Sequence, residues 1–162
     1  MPISKSPIVH REVLHLRASP AQVRQFIMTP ERILDYYPSP IEGGVIEPGR
    51  SIFCRGKSGV SLLEIVAAES SEHHIVVRVT TATKVESPVT KARILDSAFF
   101  TMTEDWELEE TDSGTTLTKT WRDINQKKWK LLPMRIIVRS SAKGESKKLV
   151  AAWNNAAQLY EN

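Results

Sequence analysis

The chain of 162 residues holds a single cysteine, Cys54, so it can form no internal disulfide. One thiol in a chain of this length fits a reducing compartment, and a cytoplasmic location is the expectation. No stretch approaches the roughly 20 consecutive apolar residues that a membrane-spanning helix requires. The first residues, MPISKSPIVHREV, lack the apolar core of a signal peptide, and no N-x-S/T sequon occurs. The motifs of several common chemistries are missing too. There is no G-x-x-x-x-G-K-(S/T) loop, no H-E-x-x-H, no C-x-x-C and no G-x-S-x-G elbow. Nucleotides, zinc, other metals and flavins are therefore not expected, and no cofactor is predicted. With no internal repeat, low-complexity tract or dividing linker, residues 1–162 read as one domain.

Charge of one sign is in small excess, a formal net +3, and the positive side chains gather late. The stretch QKKWK (Gln126 to Lys130) is followed by Arg135, Arg139, Lys143, Lys147 and Lys148. Such a run can meet the phosphates of nucleic acid or of anionic lipid. No recognition motif accompanies it, so nucleic acid is not expected, and the solvated face of a helix is the plainer reading. KKWKLLPM mixes basic, Trp and Leu residues as interfacial segments do. Transient contact of Gln126–Arg139 with an anionic membrane stands beside an ordinary connection with one buried Trp. Apolar residues make up 41% and charged residues 25%, enough to bury a core without staples.

Ile8 to Arg17 reads as a first strand. In ASPAQVRQFI, Ser19 is a natural N-cap, Pro20 suits the first helical position, and Gln22 completes a capping box. TPERILDYYPSP repeats the device with Thr29 and Pro30, and Pro38 and Pro40 stop this second short helix. From Glu42 to Asp123 the pattern is of strands, about six of them. Within that run KVESPVTKARILDS (84–97) has no clear assignment, since Pro88 interrupts it. From Arg135 to Tyr160 the period changes. Ala142, Leu149, Val150, Trp153, Ala156, Ala157 and Tyr160 recur at spacings of one helical stripe, with Gly144 as a weak point.

The segment Glu104–Asp123, EDWELEETDSGTTLTKTWRD, predicts a β-hairpin. Met102, Glu104, Trp106 and Leu108 share one parity, and Leu117, Lys119, Trp121 and Asp123 share the other. A two-residue or a four-residue turn puts both sets on one face. Glu104, Lys119 and Asp123 then project inward among Trp and Leu, where lone charges would cost several kcal/mol. The four-residue register sets Glu104 one cross-strand step from Lys119, and the two-residue register sets it opposite Asp123. Two readings follow: a satisfied salt bridge at the edge of a core, or polar anchors in an otherwise apolar pocket.

In order and spacing, EVLHLRASPAQVRQFIMTPERILDYYP, then strands, then WELEETDSGTTLTKTW and a long last helix resemble the START-like superfamily. This superfamily includes the SRPBCC group of polyketide cyclases/dehydrases and lipid-transport proteins, and the pollen-allergen ligand binders. Leu16, Ala18, Ser19, Pro20 and Val23 match its entry into the first helix, and Ser113, Gly114, Thr115, Leu117 and Thr118 match its Gly-Thr turn and strand. Arg24 stands where the family carries Trp. The resemblance implies an α+β helix-grip fold, in which a curved antiparallel sheet of about seven strands (β-α-α-β6-α) wraps the C-terminal helix around a cavity. It implies binding, and in some members transport, of a small hydrophobic ligand such as a lipid or polyketide-like molecule. On that reading Met102, Trp106, Leu108, Leu117, Trp121, Leu149 and Trp153 contact the ligand, and Glu104, Lys119 and Asp123 orient its polar end. The alternative is a cofactor-independent cyclase or dehydratase in which Glu104 and Lys119 transfer protons.

The resemblance would place Leu14 and Leu16 inside, and His10 and Glu12 share their parity. An inward His10 beside Glu12 could act as an acid–base pair; a solvated strand-end histidine is the simpler reading. His73 and His74 read as turn residues, and Cys54 as a buried structural thiol. Tyr36 and Tyr37 either pack or touch a ligand at the pocket mouth. Ligand identity and oligomeric state are not legible.

Overall fold

The computed structural model describes residues 7–38, 40–57, 59–126 and 133–159. Strand β1 (Ile8–Leu16) leads into helices α1 (Pro20–Ile27) and α2 (Pro30–Leu34). Strands β2 (Pro40–Glu47), β3 (Ser51–Gly56), β4 (Val60–Ile65) and β5 (His74–Ala82) follow. A short helix α3 (Lys91–Asp96) precedes strands β6 (Ala98–Thr111) and β7 (Gly114–Gln126), and α4 (Met134–Leu159) ends the fold.

Local chemistry explains these boundaries. The Ser19 hydroxyl accepts a hydrogen bond from the Gln22 backbone N–H at 3.3 Å, and the Gln22 side chain accepts one from the Ser19 N–H at 2.9 Å. This reciprocal pair starts α1, whose Val23, Phe26 and Ile27 are buried. Thr29 occupies the N-cap position of α2 but makes no side-chain cap bond. Its hydroxyl donates backward instead, to the Gln25 carbonyl at 2.8 Å, and so ties off α1.

Seven strands form one sheet in the order β1-β7-β6-β5-β4-β3-β2, with every pairing antiparallel. The helices α1 and α2 carry the chain from one edge strand to the other. Register shifts interrupt the ladders between Val45 and Glu47, between Thr81 and Ala82 and between Thr101 and Thr103. Such bulges bend and twist a sheet, and here they help it curl around α4. The result is the α+β helix-grip arrangement. At the β6–β7 turn Gly114 has φ 141°, and a Cβ there would sit 2.0 Å from the Leu16 carbonyl oxygen, so only glycine fits.

The main core lies between the concave face and α4. Val138, Ala142, Leu149, Trp153, Ala156 and Ala157 supply the helix side, as the stripe from Ala142 to Ala157 predicts. Tyr160 and residues 127–132 of the expected interfacial segment lie outside the described residues. Opposite the stripe, Arg139, Lys143 and Lys147 are exposed. A second core lies on the convex face, where Phe53, Val60, Leu62 and Ala82 pack with Ile94 of α3. Segment 84–97 thus has a structural role. Its helix α3, started by Thr90 accepting from the Arg93 N–H at 3.3 Å, covers apolar side chains on the outside of the sheet.

Candidate functional site

The hairpin face behaves as its parity predicts as far as Trp121. Glu104 pairs with Trp121, Trp106 with Lys119 and Leu108 with Leu117, which sets Glu104 diagonal to Lys119. This is the register expected of the four-residue turn, although the ladder runs on to Thr111–Gly114 and leaves only Asp112 and Ser113 in the turn. Lys119 Nζ lies 3.4 Å from Glu104 Oε2, and both side chains are 1% exposed. Three rings surround the ammonium. Nζ sits 4.3 Å from the centroid of Trp106, 4.6 Å from Trp121 and 5.0 Å from Tyr36. A buried cation without water is tolerable here because a carboxylate and three ring faces replace its hydration. Trp106 Nε1 donates to the same Glu104 Oε2 at 3.1 Å, so Oε1 has no hydrogen-bond partner among the described residues.

Trp153 of α4 seals this end. It stacks on Trp106 at 5.7 Å and 19°, meets Phe26 and Tyr36 edge-on at 5.4 and 5.7 Å, and donates from Nε1 to the Arg32 carbonyl at 3.1 Å. Trp106, Leu108, Leu117, Lys119, Trp121, Leu149 and Trp153 are all buried in this packed end.

Asp123 departs from the expected inward position. The register shift between Thr101 and Thr103 leaves an extra residue on β7, and Asp123 takes it up with φ 56°. Parity reverses there, so Ile124 packs on the core, and Asp123 pairs with Arg122 at 2.5 Å. Arg122 also holds Asp105 and lies 3.7 Å from Glu69, and Asp105 accepts from His74 Nε2 at 2.9 Å. Burial would raise the Asp105 carboxyl, but the hydrogen bonds from Arg122 and His74 outweigh it and hold the group below its ordinary value. His74 is therefore not a turn residue: it opens β5, opposite Glu107, and belongs to a surface network. His10 bonds Glu12 at 2.7 Å and lies 5.6 Å from the Trp121 ring, with both polar side chains about a quarter exposed. The pair lies within β1, opposite Trp121 and Lys119 and sharing the parity of the buried Leu14 and Leu16, so His10 is not a strand-end residue.

Open space remains toward the other end of the sheet. A cavity of about 660 Å³ lies between β3–β6 and the first half of α4. Cys54, Ser61, Thr81, Phe100 and Met102 line it from the sheet, and Tyr37, Pro38 and Pro40 from the chain leaving α2. Met134, Ile137, Ser141 and Glu145 line it from α4. Of the seven side chains expected to contact a ligand and the three expected to orient it, Met102 alone lines the cavity. Apart from Asp123, the others are buried in the packed end. The cavity exists where β3, β4 and β5 present small side chains: thiol, hydroxyl and methyl.

Glu145, which sequence reasoning passed over, is the ionisable carboxyl in this lining. A signal for it was available, since Met134, Ile137, Ser141 and Glu145 recur at helical spacing beside the core stripe. Burial pushes its carboxyl up, the Glu104 charge adds to this, and Lys119, Ser141 and Lys148 act the other way. Cys54 is pushed up to about 12, by burial first and then by Glu104 and Glu145. Burial likewise raises Tyr37 well above its ordinary value, against a hydrogen bond with Ser61. Thiol and phenol are thus neutral hydrogen-bonding groups at physiological pH.

No helix among the described residues is long and apolar enough to cross a membrane. No family model matches the chain, and no curated protein matches it. Solved structures do match over nearly the whole chain. A conserved protein from Geobacillus kaustophilus is 13% identical with a TM-score of 0.62, covering 90% of this chain and 95% of its own. A START superfamily protein from Mycobacterium smegmatis is 10% identical with a TM-score of 0.55, covering 93% and 97%. Ara h 8.0201 is 14% identical with a TM-score of 0.56, covering 88% and 94%. Sheet order, terminal helix and these likenesses agree: the chain has the START-like, helix-grip fold.

Proposed function

We propose that this protein binds a small, largely apolar molecule in the cavity between the sheet and the first half of α4. The observation that carries the reading is the cavity itself. Its volume of about 660 Å³ falls in the range of about 300–1,000 Å³ typical of small-molecule sites. Its walls are mainly apolar, and the polar groups are few: Tyr37, Cys54, Ser61, Thr81, Ser141 and Glu145. Ile137 lines the cavity and is exposed, and Ile136 beside it is 65% exposed, which puts the mouth at the first turns of α4. Arg135 and Arg139 flank these isoleucines, an arrangement suited to collecting or delivering a ligand at an anionic lipid surface.

The cyclase or dehydratase alternative placed proton transfer on Glu104 and Lys119. Both are committed to each other and to the aromatic cage, and neither lines the cavity, so that alternative gains no support here. Native mass spectrometry of the protein purified from cells tests the binding reading. A bound apolar species in one-to-one ratio is the expected result. A bare mass, together with failure to take up any hydrophobic probe, would overturn it.

A further inference from the structure

The charge inside the grip is unbalanced. Two carboxylates, Glu104 and Glu145, feel the charge of one buried ammonium, Lys119, and the other cation acting on Glu145, Lys148, is exposed. The Lys119 ammonium is already held 3.4 Å from Glu104 and enclosed by three rings, so little of it is left for Glu145. Among the described residues that line the cavity there is no lysine, arginine or histidine. An anionic head group entering this space would meet a carboxylate whose neighbouring cations are the committed Lys119 and the solvent-exposed Lys148, a like-charge encounter.

Tyr37, Phe99 and Phe100 add ring faces to the walls, and such faces attract cations.

We propose that the ligand carries an amine head on its apolar body, held as an ammonium by the Glu145 carboxylate, and that the cavity discriminates against carboxylates. The inference rests on reading the cavity as a ligand site. An ammonium entering the cavity pairs with the Glu145 carboxylate, whereas a neutral alcohol can at most share a hydrogen bond with it.

Three probes with one tail test this: decylamine, decanol and decanoate, titrated at neutral pH into the wild-type protein and Glu145→Gln. Each is read by calorimetry or by displacement of a hydrophobic dye, with circular dichroism to verify folding. In the wild type the amine should bind about tenfold or more tighter than the alcohol, and decanoate weakest. Glu145→Gln should bring the amine within about threefold of the alcohol. Decanoate binding as tightly as decylamine, or an amine preference that survives Glu145→Gln, would overturn the proposal. Equal binding of amine and alcohol to the wild type would overturn it too, while leaving the cavity reading intact. If none of the three binds a folded protein, the cavity reading itself fails.

Discussion

Replacing Lys119 with methionine keeps an unbranched side chain in the aromatic cage and removes its charge. Wild-type Lys119 has lost its hydration, with 1% of the side chain exposed, and recovers the loss from Glu104 at 3.4 Å and three ring faces within 5.0 Å. Methionine should pack among those rings. Glu104 is then stranded: it keeps the Trp106 Nε1 hydrogen bond, but it is a buried carboxylate with no counter-charge. Breaking a buried pair from one side costs about 3–5 kcal/mol. At about 2–4 °C per kcal/mol for a domain of this size, the melting temperature should fall by roughly 6–20 °C. Glu104→Gln alone strands the ammonium instead, and should cost a similar amount. The double replacement strands neither, and should cost clearly less than the sum of the singles, near neutrality if the amide keeps the Trp106 bond. Denaturant unfolding of the four proteins at pH 7 gives the coupling directly. A Lys119→Met loss below about 1 kcal/mol, or a double variant equal to the sum of its parents, would refute the claim that these groups sustain each other.

Glu145 and Asp105 should respond to pH in opposite senses. The Glu145 carboxyl is raised in the folded state, so it adds stability below its unfolded value near 4.5 and loses it as pH rises through the folded value. Glu145→Gln should therefore gain on the wild type as pH rises above about 4.5 in urea titrations, and a gap independent of pH would contradict this. Asp105 is lowered, so its contribution is present above about pH 4 and lost as pH falls through the folded value. Arg122→Ala should cost about 1.5–3 kcal/mol at pH 7, with the deficit shrinking on acidification. Gly144 stands inside α4 with open space where a Cβ would project, so Gly144→Ala should raise stability by about 1 kcal/mol, seen as a higher thermal midpoint.

Much of the scaffold was legible because local rules and tertiary structure agree. The capping box at Ser19, the parity of the β6–β7 hairpin as far as Trp121 and the stripe from Ala142 to Ala157 each follow from short-range pattern. Asp123 shows where parity fails. A single residue in the left-handed region turned it outward, and aspartate tolerates that conformation without marking it in sequence. Segment 84–97 was opaque because its partners are the outward side chains of β3 and β4. The adjacent buried pairs Ile52–Phe53 and Leu62–Leu63 are the trace of a sheet covered on both faces. The candidate site was the least legible part. Large aromatic residues drew attention to the end where Trp106, Trp121 and Trp153 fill the grip, but a cavity forms where side chains are small. Cys54, Ser61 and Thr81 stand out only once their strands are side by side.

The most direct test of the account is to fill the cavity from α4. Ser141 lines it and is partly exposed, so Ser141→Trp should occupy the space while leaving the packed Trp106–Trp153 end intact. A fluorescent hydrophobic probe titrated into both folded proteins gives the answer. Saturable one-to-one binding by the wild type, weakened about tenfold or more in Ser141→Trp, is the predicted result. Equal binding by the two proteins, or no saturable binding by the wild type, would contradict it.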